Sequence, residues 1–126
     1  MPTKPIIPFL SLLIVATALS GCSATLPVQG SFTDTNERFL GSATGNADGN
    51  GHLTLTSESG QKCSGAFKYD EGFVRGAGNV TCTDGRTGTF SFTSSGAAGS
   101  GFGKLSNGQP FKFRFGYVQR VVVEQQ

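Results

Sequence analysis

The chain has 126 residues, with ten Lys or Arg against eight Asp or Glu and only 14% charged residues overall. Its charges are spread singly, so no basic block points to nucleic acid or to an anionic membrane surface, and its length allows one domain with a modest core. Nineteen glycines, eleven phenylalanines and a single histidine make it rich in turn and core residues and poor in side chains suited to acid–base chemistry.

Residues 6–19 are almost wholly apolar, broken by Pro8, Ser11 and Thr17 and preceded by Lys4. That layout is a signal peptide, and it falls short of the roughly 20 apolar residues a membrane-spanning helix needs. The run ends in Leu19-Ser20-Gly21-Cys22, which resembles the lipobox of bacterial lipoproteins. The resemblance implies that residues 1–21 are removed and that Cys22 carries a diacylglyceryl thioether and an acylated amino terminus; no cofactor is expected. Two acyl chains already hold a protein stably in a bilayer, so a triacylated Cys22 is for practical purposes a permanent anchor. Ser23, in place of the aspartate associated with inner-membrane retention, further implies an outer-membrane location. Residues 22–27 are then expected to form a lipidated tether and residues 28–123 the folded domain.

From Val28 onward large apolar residues alternate with small or polar ones, and helical spacing is nowhere sustained. Leu53 and Leu55, then Phe90 and Phe92, then Phe111, Phe113 and Phe115 each place bulky side chains on one face of a strand. Between them Asp48-Gly49, Asp70-Glu71-Gly72, Asp84-Gly85 and Asn107-Gly108 supply the positive φ that tight hairpins demand. The pattern predicts about eight strands at 28–33, 38–46, 51–57, 61–69, 72–83, 87–94, 97–105 and 109–118. The connections are too short for parallel crossovers, so the expected fold is all-β, an antiparallel up-and-down meander closing as a small barrel or a strongly curled sheet. The turn-then-strand segment starting at Asp48 recurs from Asp84, a weak internal repeat consistent with that meander.

Gly99, Gly101 and Gly103 leave three bare positions on one strand face, and Phe111, Phe113 and Phe115 on the next strand are placed to cover them. With Cys22 assigned to lipid, Cys63 and Cys82 remain as an even pair outside the cytoplasm and are read as one disulfide. No Cys-x-x-Cys is present and His52 has no ligand-spaced partner, so a metal site is not expected. The terminal segment with Val121, Val122 and Val123 is expected either to extend the last strand or to remain as an edge for a partner chain.

Candidate chemistry is sparse. Asn46 to Gly51 has the oxygen side chains of a calcium-loop start, but Ser57 stands where the bidentate glutamate belongs, so a hairpin turn is the better reading. Asp34 with Glu37 and Asp70 with Glu71 fall in predicted turns rather than flanking a cleft. The expectation is therefore a non-enzymatic envelope lipoprotein with a structural or surface-interaction role, attached to the membrane through Cys22 and partnered by an envelope protein or a foreign hydrolase. Two alternatives stand beside it. Ser64-Gly65-Ala66-Phe67-Lys68-Tyr69 resembles a segment of membrane-bound lysozyme inhibitors, which implies an inhibitor of a lysozyme or protease. The phenylalanine rows suit a ligand-binding barrel, although eight strands leave room only for side chains or one small ligand, and the ten phenylalanines after Cys22 are expected to fill it.

Overall fold

The computed structural model describes residues 22–117. The expected signal peptide and the valine-rich terminal segment lie outside the described residues. Eight antiparallel strands follow one another in chain order: β1 (Ser23–Phe32), β2 (Arg38–Asn46), β3 (Asn50–Ser57), β4 (Lys62–Tyr69), β5 (Arg75–Cys82), β6 (Thr87–Ser94), β7 (Ala98–Leu105) and β8 (Pro110–Gly116). Each pairs with its neighbours in sequence, and β1 pairs with β8 from Val28↔Phe115 to Phe32↔Phe111, which closes the barrel. Closure removes the unpaired edges that an open sheet would expose along this ladder.

The turns form for local reasons. Asp48, Asp84 and Asn107 each accept, on Oδ1, the backbone N–H two residues on, at 2.9, 3.1 and 3.0 Å. The glycine after each takes a positive φ of 88–94°, and the backbone N–H of that glycine donates to the carbonyl three residues earlier. This is a type I turn followed by a left-handed residue, the common three-residue hairpin loop. The calcium-like segment is thus a hairpin turn, as expected.

Side chains alternate strictly. Val28, Phe32, Phe39, Leu53, Val80, Phe90, Phe92, Leu105, Phe111 and Phe115 point inward as the buried core, while Thr54, Ser64, Thr81, Thr89, Ser91, Lys112 and Arg114 face out and are exposed. The polar outer wall is the reverse of a membrane-spanning barrel, whose lipid-facing band is apolar.

Closure depends on glycine. The inward rows repeatedly pair a phenylalanine with a glycine across a rung: Gly30↔Phe39, Gly51↔Phe67, Gly76↔Phe92, Gly78↔Phe90, Gly101↔Phe113 and Gly103↔Phe111. At each of these glycines a methyl group would collide with the ring of the paired phenylalanine and with a backbone carbonyl oxygen. The rings therefore lie flat along bare backbone, the covering expected for Phe111, Phe113 and Phe115 and here extended around most of the barrel.

Two boundaries differ from expectation. Residues 23–27 are not a free tether but the first half of β1, paired with β2 from Ser23↔Asn46 onward. Ala24 and Leu26 continue the inward row that Val28 extends, and Pro27 is tolerated for a geometric reason. The N–H and C=O of Phe32 both bond to the β1–β2 turn and β2 side, so by alternation Pro27 faces the β8 side, one residue beyond the β1–β8 ladder, where no donor is missed. Strand β5 starts at Arg75 rather than 72 because Gly72 and Phe73 both take positive φ, 90° and 57°, which breaks the extended run.

Cys63 and Cys82 face each other directly across β4 and β5 and form the expected disulfide, with Cα atoms 3.9 Å apart. The Cys82 N–H donates toward β6, to the Arg86 carbonyl, so this is a non-hydrogen-bonded pair, the closer of the two antiparallel rungs. In the chain-entropy picture such a bridge stabilises the domain by about 3 kcal/mol.

Candidate functional site

The two ends of the barrel are built differently. One end carries the β1–β2, β3–β4, β5–β6 and β7–β8 turns and is plugged. Phe32, Phe39 and Phe111 meet edge to face there, with ring centroids 5.5–6.4 Å apart, alongside buried Leu105 and Cys82. Above this plug the turns are tied by polar contacts. Arg86 bonds Asp84 at 2.8 Å and Gln109 at 2.8 Å, Gln109 reaches Asp34, and Arg38 pairs with Glu58 at 3.4 Å. Glu37 is held below the ordinary glutamate range first by the Ser59 hydroxyl and then by the Ser59 backbone N–H, which donates to its carboxylate. Asp84 is lowered in the same direction, first by the Arg86 backbone N–H.

The other end is open. Behind it lies a cavity of about 650 Å³, lined by Leu26, Val28, Ala43, Leu53, Leu55, Phe67, Tyr69, Val80, Phe90, Phe92, Phe111, Phe113 and Phe115, with Phe73, Val74 and the β6–β7 turn at its mouth. That volume falls within the roughly 300–1,000 Å³ of small-molecule sites. The expectation that ten phenylalanines fill the interior is therefore corrected. A ring packed on a cross-strand glycine takes up wall space rather than axial space, so the same residues that close the barrel leave its axis free.

The lining is apolar with a few hydrogen-bonding groups near the mouth: Asn46, Ser94, Ser95 and the Tyr69 hydroxyl. No charged side chain lines it. Tyr69 is held edge-on between Phe67 and Phe92, at centroid distances of 6.0 and 5.2 Å, and stacks obliquely with Phe73 at 5.1 Å. Phe73 occupies the left-handed region at φ 57°, a conformation costing on the order of 1–3 kcal/mol for a bulky residue. The positive φ at Gly72 is the one its turn motif signals; the second, at Phe73, has no signal in the sequence, and together they turn the Phe73 ring onto Tyr69 at the rim.

Other sequence candidates fall elsewhere. His52 is exposed on the outer face of β3. Asp34 and Glu37 belong to the plugged end, and Asp70 and Glu71 to a turn at the open end. Ser64 to Tyr69 lies within β4, paired on both sides with β3 and β5, and sends Phe67 and Tyr69 into the barrel rather than into a protruding loop. Among the described residues no cluster of three or more His, Cys, Asp or Glu is placed to hold a metal ion. Cys22 is exposed at the open end, its carbonyl accepting the Ala47 N–H at 3.2 Å.

No protein-family model matches the chain, and no curated protein matches it. Among solved structures the barrel is similar to a de novo designed fluorescence-activating β-barrel, with a TM-score of 0.58 over 75% of this chain and 92% of the designed one at 13% identity. At that identity the likeness concerns the fold.

Proposed function

We propose that the protein is a lipid-anchored envelope barrel that binds a neutral, largely apolar small molecule of the lipid class. The observation that carries this reading is the 650 Å³ cavity, apolar along its length and open at one end. Water placed there would find few hydrogen-bond partners, so an apolar ligand gains from the contact area while displacing poorly held solvent. Asn46, Ser94, Ser95 and Tyr69 at the mouth suit an uncharged polar end, and the lack of charge in the lining disfavours a carboxylate or phosphate buried in the barrel. The role is binding rather than catalysis. The anchor is assigned to Cys22 from the lipobox-type sequence, and the outer membrane from Ser23 beside it.

The test uses the chain from Ser23 onward, without the lipid-bearing residue, and the uncharged dye Nile red. The dye is expected to bind at one per barrel with a blue-shifted, enhanced emission. Ala43 points into the cavity opposite Leu53, so Ala43→Phe fills it and abolishes the signal while the melting temperature is kept. Equal dye binding by the filled variant would show that the cavity is not the site.

A further inference from the structure

We propose that the open end of the barrel rests on the bilayer, so that the cavity mouth opens into lipid rather than into water. This deepens the anchored, ligand-binding reading above and rests on it.

The first observation is the absence of slack between anchor and barrel. Ser23 is already paired with Asn46 in the β1–β2 ladder, and Cys22 is pinned by the Ala47 N–H. One extended residue reaches about 3.3–3.6 Å, so acyl chains on Cys22 enter the membrane beside the rim. A barrel tied this closely has its open end at the surface and its plugged end away from it.

The second observation is independent of the anchor. Of the five large hydrophobic residues exposed among the described residues, Phe73, Val74 and Tyr117 sit at the open end. Leu40 and Phe102 are single residues on separate parts of the wall, where isolated exposure is ordinary. The β6–β7 turn at the same rim, Ser95-Gly96-Ala97, carries no charge, whereas the Arg38–Glu58 and Arg86–Asp84 pairs both lie at the plugged end. Aromatic residues with a polar tip, such as Tyr117, are suited to the headgroup boundary. The polar outer wall limits entry to the rim itself. Asp48, Asp70 and Glu71 lie in the turns at this end and exposed Lys68 and Arg75 at the adjoining strand ends, so the rim carries mixed charge without a cationic excess and the surface it fits is zwitterionic rather than anionic.

The chain contains no tryptophan, which makes a single introduced one a clean reporter. Full-length lipidated protein carrying Phe73→Trp, Tyr117→Trp or Phe102→Trp is reconstituted into phosphatidylcholine vesicles containing brominated phosphatidylcholine, whose bromines quench tryptophan on contact. Both rim tryptophans are expected to lose emission, and Phe102→Trp, on the mid-wall of β7, to keep it. Unquenched rim tryptophans would overturn the proposal, as would quenching of Phe102→Trp equal to that of the rim, which means a barrel lying on its side. Failure of the protein to float with vesicles would overturn it at the anchor. The dye assay on the anchor-free chain reports on the cavity alone: dye bound with rim tryptophans unquenched removes the orientation and leaves the ligand reading standing, whereas rim tryptophans quenched with no dye bound removes the ligand reading.

Discussion

Gly101→Ala and Gly45→Ala, two inward-facing glycine substitutions of identical chemistry, should move stability in opposite directions. At Gly101 an added Cβ meets the Phe113 ring, the Ser91 carbonyl oxygen and, at 2.8 Å, the Cβ of Phe92. The ring tip can swing toward the open axis, but the carbonyl belongs to the β6 backbone and cannot, so the β6–β7 ladder must spread. Overpacking of this kind costs about 1–3 kcal/mol, and the backbone contact places Gly101→Ala at the upper end. At Gly45 the only neighbour within 4 Å among the described residues is Tyr69 Cε2 at 3.9 Å, and φ is not positive. There alanine simply removes the entropic penalty of glycine in a strand, a gain of roughly 0.5–1 kcal/mol. At about 4–8 °C per kcal/mol for a domain of this size, the melting temperatures should separate by well over 10 °C. Circular dichroism melts of the two variants beside the parent chain make the comparison. A Gly101→Ala protein as stable as the parent would refute the claim that phenylalanine-on-glycine packing sets the barrel's closure.

Three further outcomes are expected. Replacing Cys63 and Cys82 together with alanine should lower stability by about 3 kcal/mol in urea titration, with the ligand dye still bound below the transition. Gly108→Ala, at φ 88° but with no neighbour near its Cβ, should cost about 1–2 kcal/mol from the left-handed backbone alone, and a larger loss would mean an unseen contact. Glu37 has its pKa depressed in the folded state, chiefly through its bond to Ser59. Its contribution is therefore present at neutral pH and is lost as pH falls through that lowered value. Glu37→Gln should flatten the decline of melting temperature between neutral and strongly acid pH, and an unchanged acid slope would contradict the assignment.

Much of the architecture was legible in local sequence. Runs of alternating polarity, three of them entered through Asp-Gly or Asn-Gly, mark the seven strands β2 to β8, with the start of β5 the main misplacement, because hairpin turns depend on a few side chains and a backbone sign. The start of β1 was not legible, since Ser23 to Pro27 contains a proline and few bulky residues. Its place comes from pairing with β2, a long-range contact. The start of β5 differs for a related reason: phenylalanine does not ordinarily adopt the left-handed conformation, and Phe73 in that state, its ring packed on Tyr69, interrupts the extended run expected from residue 72.

The candidate site shows the same division more sharply. Alternation by itself determined that the phenylalanine pairs and triplet at 90/92 and 111/113/115 share one face and that Gly99, Gly101 and Gly103 share one, and the cysteine count that Cys63 and Cys82 are available to each other. It could not determine whether those rings point to the axis or lie along the wall, because that depends on which residue stands opposite across the ladder. Register places glycine there, rung after rung, and closure of β1 on β8 turns the uncovered axis into a cavity. Whether the inside of a barrel is filled or hollow is a property of paired strands, and only the tertiary structure brings the pairs together.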